Sequence, residues 1–236
     1  LSPQNSMNEL QLQDKYLIRF LCDKTEGLKY KEVKANIVSE NLFIKSDLRE
    51  FLSETKHNSE NYRKLLRQYA NDETKLINDF TNFLAERTKD ASNMAIFINS
   101  NKTVTFPKDN GYKFHLYYPD GGEFVDEKLF EQNIFSVVQE CSYRYKFDGR
   151  TVYNFRPDIC FFVNGIYLGY SELKSTYNNQ NARRNGRNKV IQDYENAVLD
   201  YLRFKGENDL DESVRKEFLK VFEKAIHITT TDIGET

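Results

Sequence analysis

The sequence predicts an α/β protein: a mixed β-sheet flanked by helices, with a helical N-terminal extension. Three observations predict it. Apolar residues recur at three-to-four spacing through the first part of the chain, the helical period. Short β-rich runs broken by Asn, Gly and Pro follow from residue 95. A hairpin, a helix and a last apolar run then close the chain, and that order of elements calls for helices packed on a sheet.

From residue 8, Leu10, Tyr16, Leu17, Phe20 and Leu21 mark a first helix that Gly27 is placed to end. A second helical tract is expected over 35–52, and Ser59 and Asn71 are placed to cap helices over 60–70 and 73–87. The runs AIFI (95–98), TVTF (103–106) and KFHLYY (113–118) read as strands, followed by an apolar run over 133–143. The segment RPDICFFVNGIYLGYSELKS (156–175) carries two β-rich runs around Asn164-Gly165, the strongest short-range signal for a hairpin. After a basic polar loop, a helix is expected over 189–205 with Ile191, Tyr194, Val198, Tyr201 and Leu202 on one face. An acidic exposed loop (207–213), a helix near 212–224 and a buried strand in AIHITTTDI (225–233) complete the reading. Residues 1–92 are expected to form a helical part packing on a core at 93–236, within one structural domain overall.

Composition excludes several classes. With 34 Lys+Arg against 36 Asp+Glu, the chain is not a globally basic nucleic-acid binder, so a phosphate-binding surface has to come from local segregation of charge. Three widely spaced cysteines without a CxxC pair argue against a disulfide framework or a cysteine zinc site. There is no apolar run of membrane-spanning length and no signal-peptide core, so a cytoplasmic protein without membrane association is expected. The phosphate loop GxxxxGK[ST], the dinucleotide GxGxxG, the zinc-protease HExxH and the GxSxG elbow are all missing, and His57, His115 and His227 stand alone.

What remains is Asp158 at the start of one hairpin strand, with Glu172 and Lys174 one residue apart on the next. Two carboxylates brought together suit Mg²⁺, a hard cation that takes one or two protein carboxylates and keeps water. Alternation along a strand puts Lys174 on the face of Glu172, where it adds positive charge to a phosphodiester transition state or positions the attacking water. Glu-x-Lys by itself is uninformative, because it recurs at Glu32-Lys34, Glu54-Lys56 and Glu73-Lys75; a solvated strand face explains such a triplet equally. Only the copy at 172–174 lies in an apolar hairpin opposite an Asp-bearing strand.

The segment 156–175 resembles the PD-(D/E)xK nuclease motif in the N-terminal domain of the restriction (R) subunit of type I restriction-modification enzymes: the Asp, the aromatic-Val-Asn-Gly turn and Glu-Leu-Lys all match. KFHLYYP, NIFSVVQE and HITTTD resemble flanking parts of that subunit, so the likeness spans nearly the whole chain and is sharp at 156–175. The resemblance implies a restriction-endonuclease-like core, with Asp158 and Glu172 as ligands of Mg²⁺ (Mn²⁺ substituting) and Lys174 as the catalytic lysine. It implies cleavage of double-stranded DNA within a complex of methylation and specificity subunits. It also implies an ATP-driven motor, for which these residues hold no Walker element, so the chain is expected to be a piece of a longer subunit. Family members often carry Gln-x-x-x-Tyr on the helix after the motif. Here Tyr194 keeps its place but Val190 stands four residues before it, so the glutamine's role falls to Gln192, to Gln180 or to no residue. Asp14 sits where the family's first helix often has Glu, which implies it as a further metal ligand, and it is equally an exposed first-turn residue favoured by the helix dipole. Arg183, Arg184, Arg187 and Lys189 form the one basic cluster beside the motif, read either as DNA-phosphate contacts or as a solvated loop. The alternatives are a stand-alone PD-(D/E)xK repair or resolvase nuclease, and a non-catalytic DNA-binding or assembly domain.

Strand parity sharpens the nuclease reading into a geometric requirement. A regular two-residue turn at Asn164-Gly165 would pair Asp158 with Ser171 and so place Asp158 on the face opposite Glu172 and Lys174. A metal site requires an odd-length loop or a β-bulge, for example a three-residue loop Val163-Asn164-Gly165 that pairs Phe162 with Ile166.

Overall fold

The computed structural model describes residues 16–87, 103–121, 128–147, 150–174, 182–209 and 227–231. Its strands are β1 (Lys31–Val33), β2 (Thr103–Phe106), β3 (Tyr112–His115), β4 (Phe135–Gln139), β5 (Tyr143–Phe147), β6 (Arg150–Phe155), β7 (Ile159–Val163), β8 (Ile166–Leu173) and β9 (His227–Thr231). The α-helices are α1 (Arg19–Cys22), α2 (Lys45–Glu54), α3 (Ser59–Gln68), α4 (Glu73–Arg87) and α5 (Arg187–Lys205). β7 and β8 are nearly continuous apolar runs because helices or loops cover both of their faces. They pair antiparallel with each other, β7 pairs antiparallel with β4, and β1 and β9 join in parallel at the edges, giving the order β1-β4-β7-β8-β9. The fold is therefore mixed α/β with a mixed sheet, the expected class.

Three apolar clusters surround this sheet. One face carries Val137, Ile159 and Leu173 against Ile18 and Leu21 beside α1. The other carries Val138, Cys160, Phe162 and Tyr170 against α5 (Ala197, Tyr201) and the β5–β6 hairpin, whose Phe155 ring lies 5.2 Å from that of Tyr170. At the turn end of the sheet, α2, α3 and α4 enclose a third cluster with the β2–β3 hairpin, centred on Phe51, Phe80 and Phe114.

Several sequence expectations shift. The helix expected over 35–52 starts only at Lys45. Residues Ala35–Ile37 make a single tight turn, Leu42 takes φ 61°, and Phe43 bridges to Ile166. Leu42, Phe43 and Ile44 are all buried, and three consecutive apolar residues cannot share one face of a helix. Strand β1, just before this turn, and the β5–β6 hairpin had no counterpart in the sequence reading. The first helix ends at Cys22 rather than at Gly27, which folds back on it: Leu28 N donates to Phe20 O at 3.0 Å, and a Cβ at Gly27 would lie 2.0 Å from that oxygen. Asp72, not Asn71, caps α4, its Oδ1 accepting from Lys75 N at 2.9 Å, while Ser59 is the first residue of α3 rather than its cap. Ile191 is 44% exposed, because the inward face of α5 runs through Val190, Tyr194, Ala197, Val198, Tyr201 and Leu202. The readings at 8–15, at 95–98 and for the helix near 212–224 lie outside the described residues, as do Asp14 and Gln180.

The Asn164-Gly165 turn is present with φ 50° and 77°, the left-handed pair that such a hairpin demands. It is buried instead of exposed. Asn164 Oδ1 accepts from Ile134 N at 2.7 Å, and its Nδ2 donates to Leu116 O at 2.9 Å and to Asn133 Oδ1 at 3.0 Å. Gly165 O accepts from Ile44 N at 2.9 Å, and a Cβ at Gly165 would approach Ile44 O to 2.3 Å. Asn164→Ala is expected to cost about 3 kcal/mol, since it strands buried backbone groups of two neighbouring segments; urea unfolding measures it, and a loss below about 1 kcal/mol would show that these bonds are replaced by water.

Candidate functional site

Whether the two carboxylates can meet depends on the β7–β8 register. Next to the turn, Val163 pairs with Ile166 and Phe162 with Tyr167, so the loop has two residues and the three-residue loop given as an example does not form. The register then shifts: Phe161 pairs with Gly169, Cys160 with Tyr170 and Ile159 with Ser171. Leu168 is the extra residue of a β-bulge, and Gly169 beside it takes φ 154°. One inserted residue reverses the parity of everything beyond it, which brings Asp158 to the level of Glu172 on the same sheet face. Asp158 Oδ2 accepts from Leu173 N at 2.6 Å, which fixes the aspartate against the end of β8.

Glu172 is 1% exposed and Lys174 6%, unusual burial for charged residues. Lys174 Nζ donates to Leu173 O at 2.8 Å and lies 3.7 Å from Glu172 Oε2. Glu172 Oε1 is buried without a hydrogen-bond partner. Burial first, and then the charge of Asp158, raise the Glu172 carboxyl to about 7, against the pull of Lys189 and Lys174. A buried carboxylate oxygen lacking a donor, next to a second carboxylate, is what a hard cation satisfies. The two carboxylates that the described residues bring together fit Mg²⁺, which takes one or two protein carboxylates together with water.

The remaining sequence candidates divide. Lys189, read as one of four basic residues beside the motif, is in the first turn of α5, and its Nζ lies 2.8 Å from Glu172 Oε2 and 3.0 Å from Asp193 Oδ2. Burial alone would lower its pKa, but the two carboxylates outweigh burial and hold it above the ordinary value. The legible signal was Asp193 four residues on, the spacing of a helical ion pair. Arg184 and Arg187 are exposed around the start of α5, and Arg183 lies in the preceding wide helical turn, Ala182–Gly186. Tyr194 is half-buried against the apolar cluster beside Val190, and Gln192 is exposed.

The family model for type I restriction enzyme R protein N terminus (HSDR_N) matches residues 7–219. The chain belongs to that family. The match takes in the helices and strands from α1 to β6 that precede the motif hairpin as well as the hairpin itself, and it extends over α5, so the R-protein likeness seen at 156–175 holds for most of the chain. The mixed sheet with flanking helices is consistent with a PD-(D/E)xK-like core. A search among curated proteins finds no match. No helix among the described residues is long and apolar enough to cross a membrane.

Proposed function

We propose that this chain is the Mg²⁺-dependent endonuclease domain of a type I restriction-modification complex, cutting double-stranded DNA in the cytoplasm. The observation that carries the reading is the buried, unpartnered Oε1 of Glu172 beside Asp158 and Lys174. Asp158 and Glu172 would hold Mg²⁺ or Mn²⁺, which polarises the scissile phosphate and favours an attacking water. Lys174 would present its ammonium where negative charge grows in the transition state. Arg183, Arg184 and Arg187 would meet DNA phosphates, and the methylation and specificity subunits, with an ATP-driven motor outside these residues, would choose the substrate. Membership of the R-protein family supports that assignment over a stand-alone repair or resolvase nuclease.

Calorimetric titration tests it. Wild-type chain is expected to bind Mg²⁺ or Mn²⁺ and to nick plasmid DNA only when the cation is present, and Asp158→Ala is expected to lose both. A wild-type chain that binds neither ion would favour the non-catalytic assembly domain instead.

A further inference from the structure

With Glu172 ionised, the carboxylate site is charge-balanced by its own side chains. Asp158 and Glu172 bring two negative charges; Lys174 and Lys189 bring two positive ones, both directed at Glu172 Oε2 at 3.7 Å and 2.8 Å. A divalent cation added to this arrangement would leave a buried surplus of positive charge, which is costly where water is scarce. One lysine therefore has to yield. Lys174 is enclosed and tied to Leu173 O at 2.8 Å. The Lys189 side chain is 41% exposed and already spans to a second carboxylate, Asp193, at 3.0 Å.

We propose that Lys189 is a positioning residue that serves as the site's resident counter-ion: it neutralises Glu172 when no divalent cation is bound, and a cation entering the site displaces it onto Asp193. Glu172 Oε1, the oxygen without a partner, offers the incoming ion its first contact, while the bond to be exchanged is the one from Lys189 to Oε2. The Lys189–Asp193 pair thereby sets how tightly the site holds its metal, and α5, which carries both residues, becomes a second element of a metal site whose carboxylates Asp158 and Glu172 come from the β7–β8 hairpin. After displacement the ammonium pairs with Asp193 alone, one turn further along α5. This inference rests on the metal-site reading above.

Titration of Mn²⁺ into the whole chain, read as a dissociation constant, separates the two. Lys189→Met is expected to bind Mn²⁺ about tenfold more tightly than wild type, because a competing cation is gone. Asp193→Asn is expected to bind it severalfold more weakly, because the displaced lysine loses its second seat. The double variant should match Lys189→Met, since Asp193 acts only through Lys189, and Lys189→Arg should restore near-wild-type affinity. A purely structural helix pair would not give opposite signs for its two members. Lys189→Gln serves where thermal melting shows the Met variant to be unfolded. If wild type binds Mn²⁺ and the Lys189 and Asp193 variants share its affinity or both weaken it, the counter-ion inference falls and the metal site stands. If wild type binds no Mn²⁺, or Glu172→Gln binds it as wild type does, both fall.

Discussion

Replacing Lys174 with methionine is expected to slow DNA cleavage by about 10²–10³-fold, the usual loss when one preorganised charge-stabilising group is removed from a transition state. The variant should retain Mg²⁺ binding, because Lys174 contributes positive charge 3.7 Å from Glu172 and is not itself a ligand. Methionine is the right replacement. Lys174 is 6% exposed, so alanine would leave a void in a packed site and confuse a catalytic loss with a folding loss. Single-turnover cleavage at saturating Mg²⁺, alongside a melting curve, distinguishes the two. Wild-type cleavage by the methionine variant would remove Lys174 from the chemistry.

A second large effect is expected at Glu172, where the proposed metal binding would be linked to stability. Its carboxyl is raised from 4.5 to about 7, burial first and the charge of Asp158 second. Between those values the native protein holds a proton that the unfolded chain has released, so native stability falls as pH rises across that window and is fully present only below it. The full loss is on the order of 3 kcal/mol, since each pH step of one across the window costs roughly 1.4 kcal/mol. Glu172→Gln carries no carboxyl there, so the fall should be missing from it, leaving the opposite slope of His115, whose imidazole burial lowers to about 4 and which is common to both proteins. Mg²⁺ should oppose the loss in wild type by binding the ionised carboxylate, adding about 2.7 kcal/mol at a hundred times the dissociation constant, and should add nothing to the glutamine variant. Urea unfolding at pH 5 and pH 8, with and without Mg²⁺, reads all of these. A fall in stability with rising pH as steep in Glu172→Gln as in wild type would place its origin in another group.

How much of this was legible before the structure depends on the range of the interactions. The motif hairpin was legible because its signals are local: Asn164-Gly165 adopts the turn that its own backbone preferences favour, and the runs on either side are apolar enough to be strands wherever they lie. The helix at Lys45–Glu54 was misplaced at its start because Leu42, Phe43 and Ile44 look helical in a window of sequence, yet Leu42 is left-handed and Phe43 and Ile44 are held out of the helix by contacts with Ile166 and Gly165, more than a hundred residues away. Lys189 was grouped with its arginine neighbours by composition, while its partner Glu172 comes from a different element.

By itself the sequence determined the α/β class and the hairpin, and placed Asp158, Glu172 and Lys174 in it as candidates, because periodicity, turn chemistry and the spacing of charged residues in an apolar segment are properties of neighbours along the chain. Only the tertiary structure decided that the trio shares one face. A period of two makes side-chain direction depend on every residue between, and the bulge at Leu168, which reverses it, is marked in the sequence only by Gly169, a glycine that does not by itself fix where the register shifts. The same holds for the cation at Glu172: α5 packs across the sheet face that bears the carboxylates, and that packing, not any local pattern, brings Lys189 within 2.8 Å of the site.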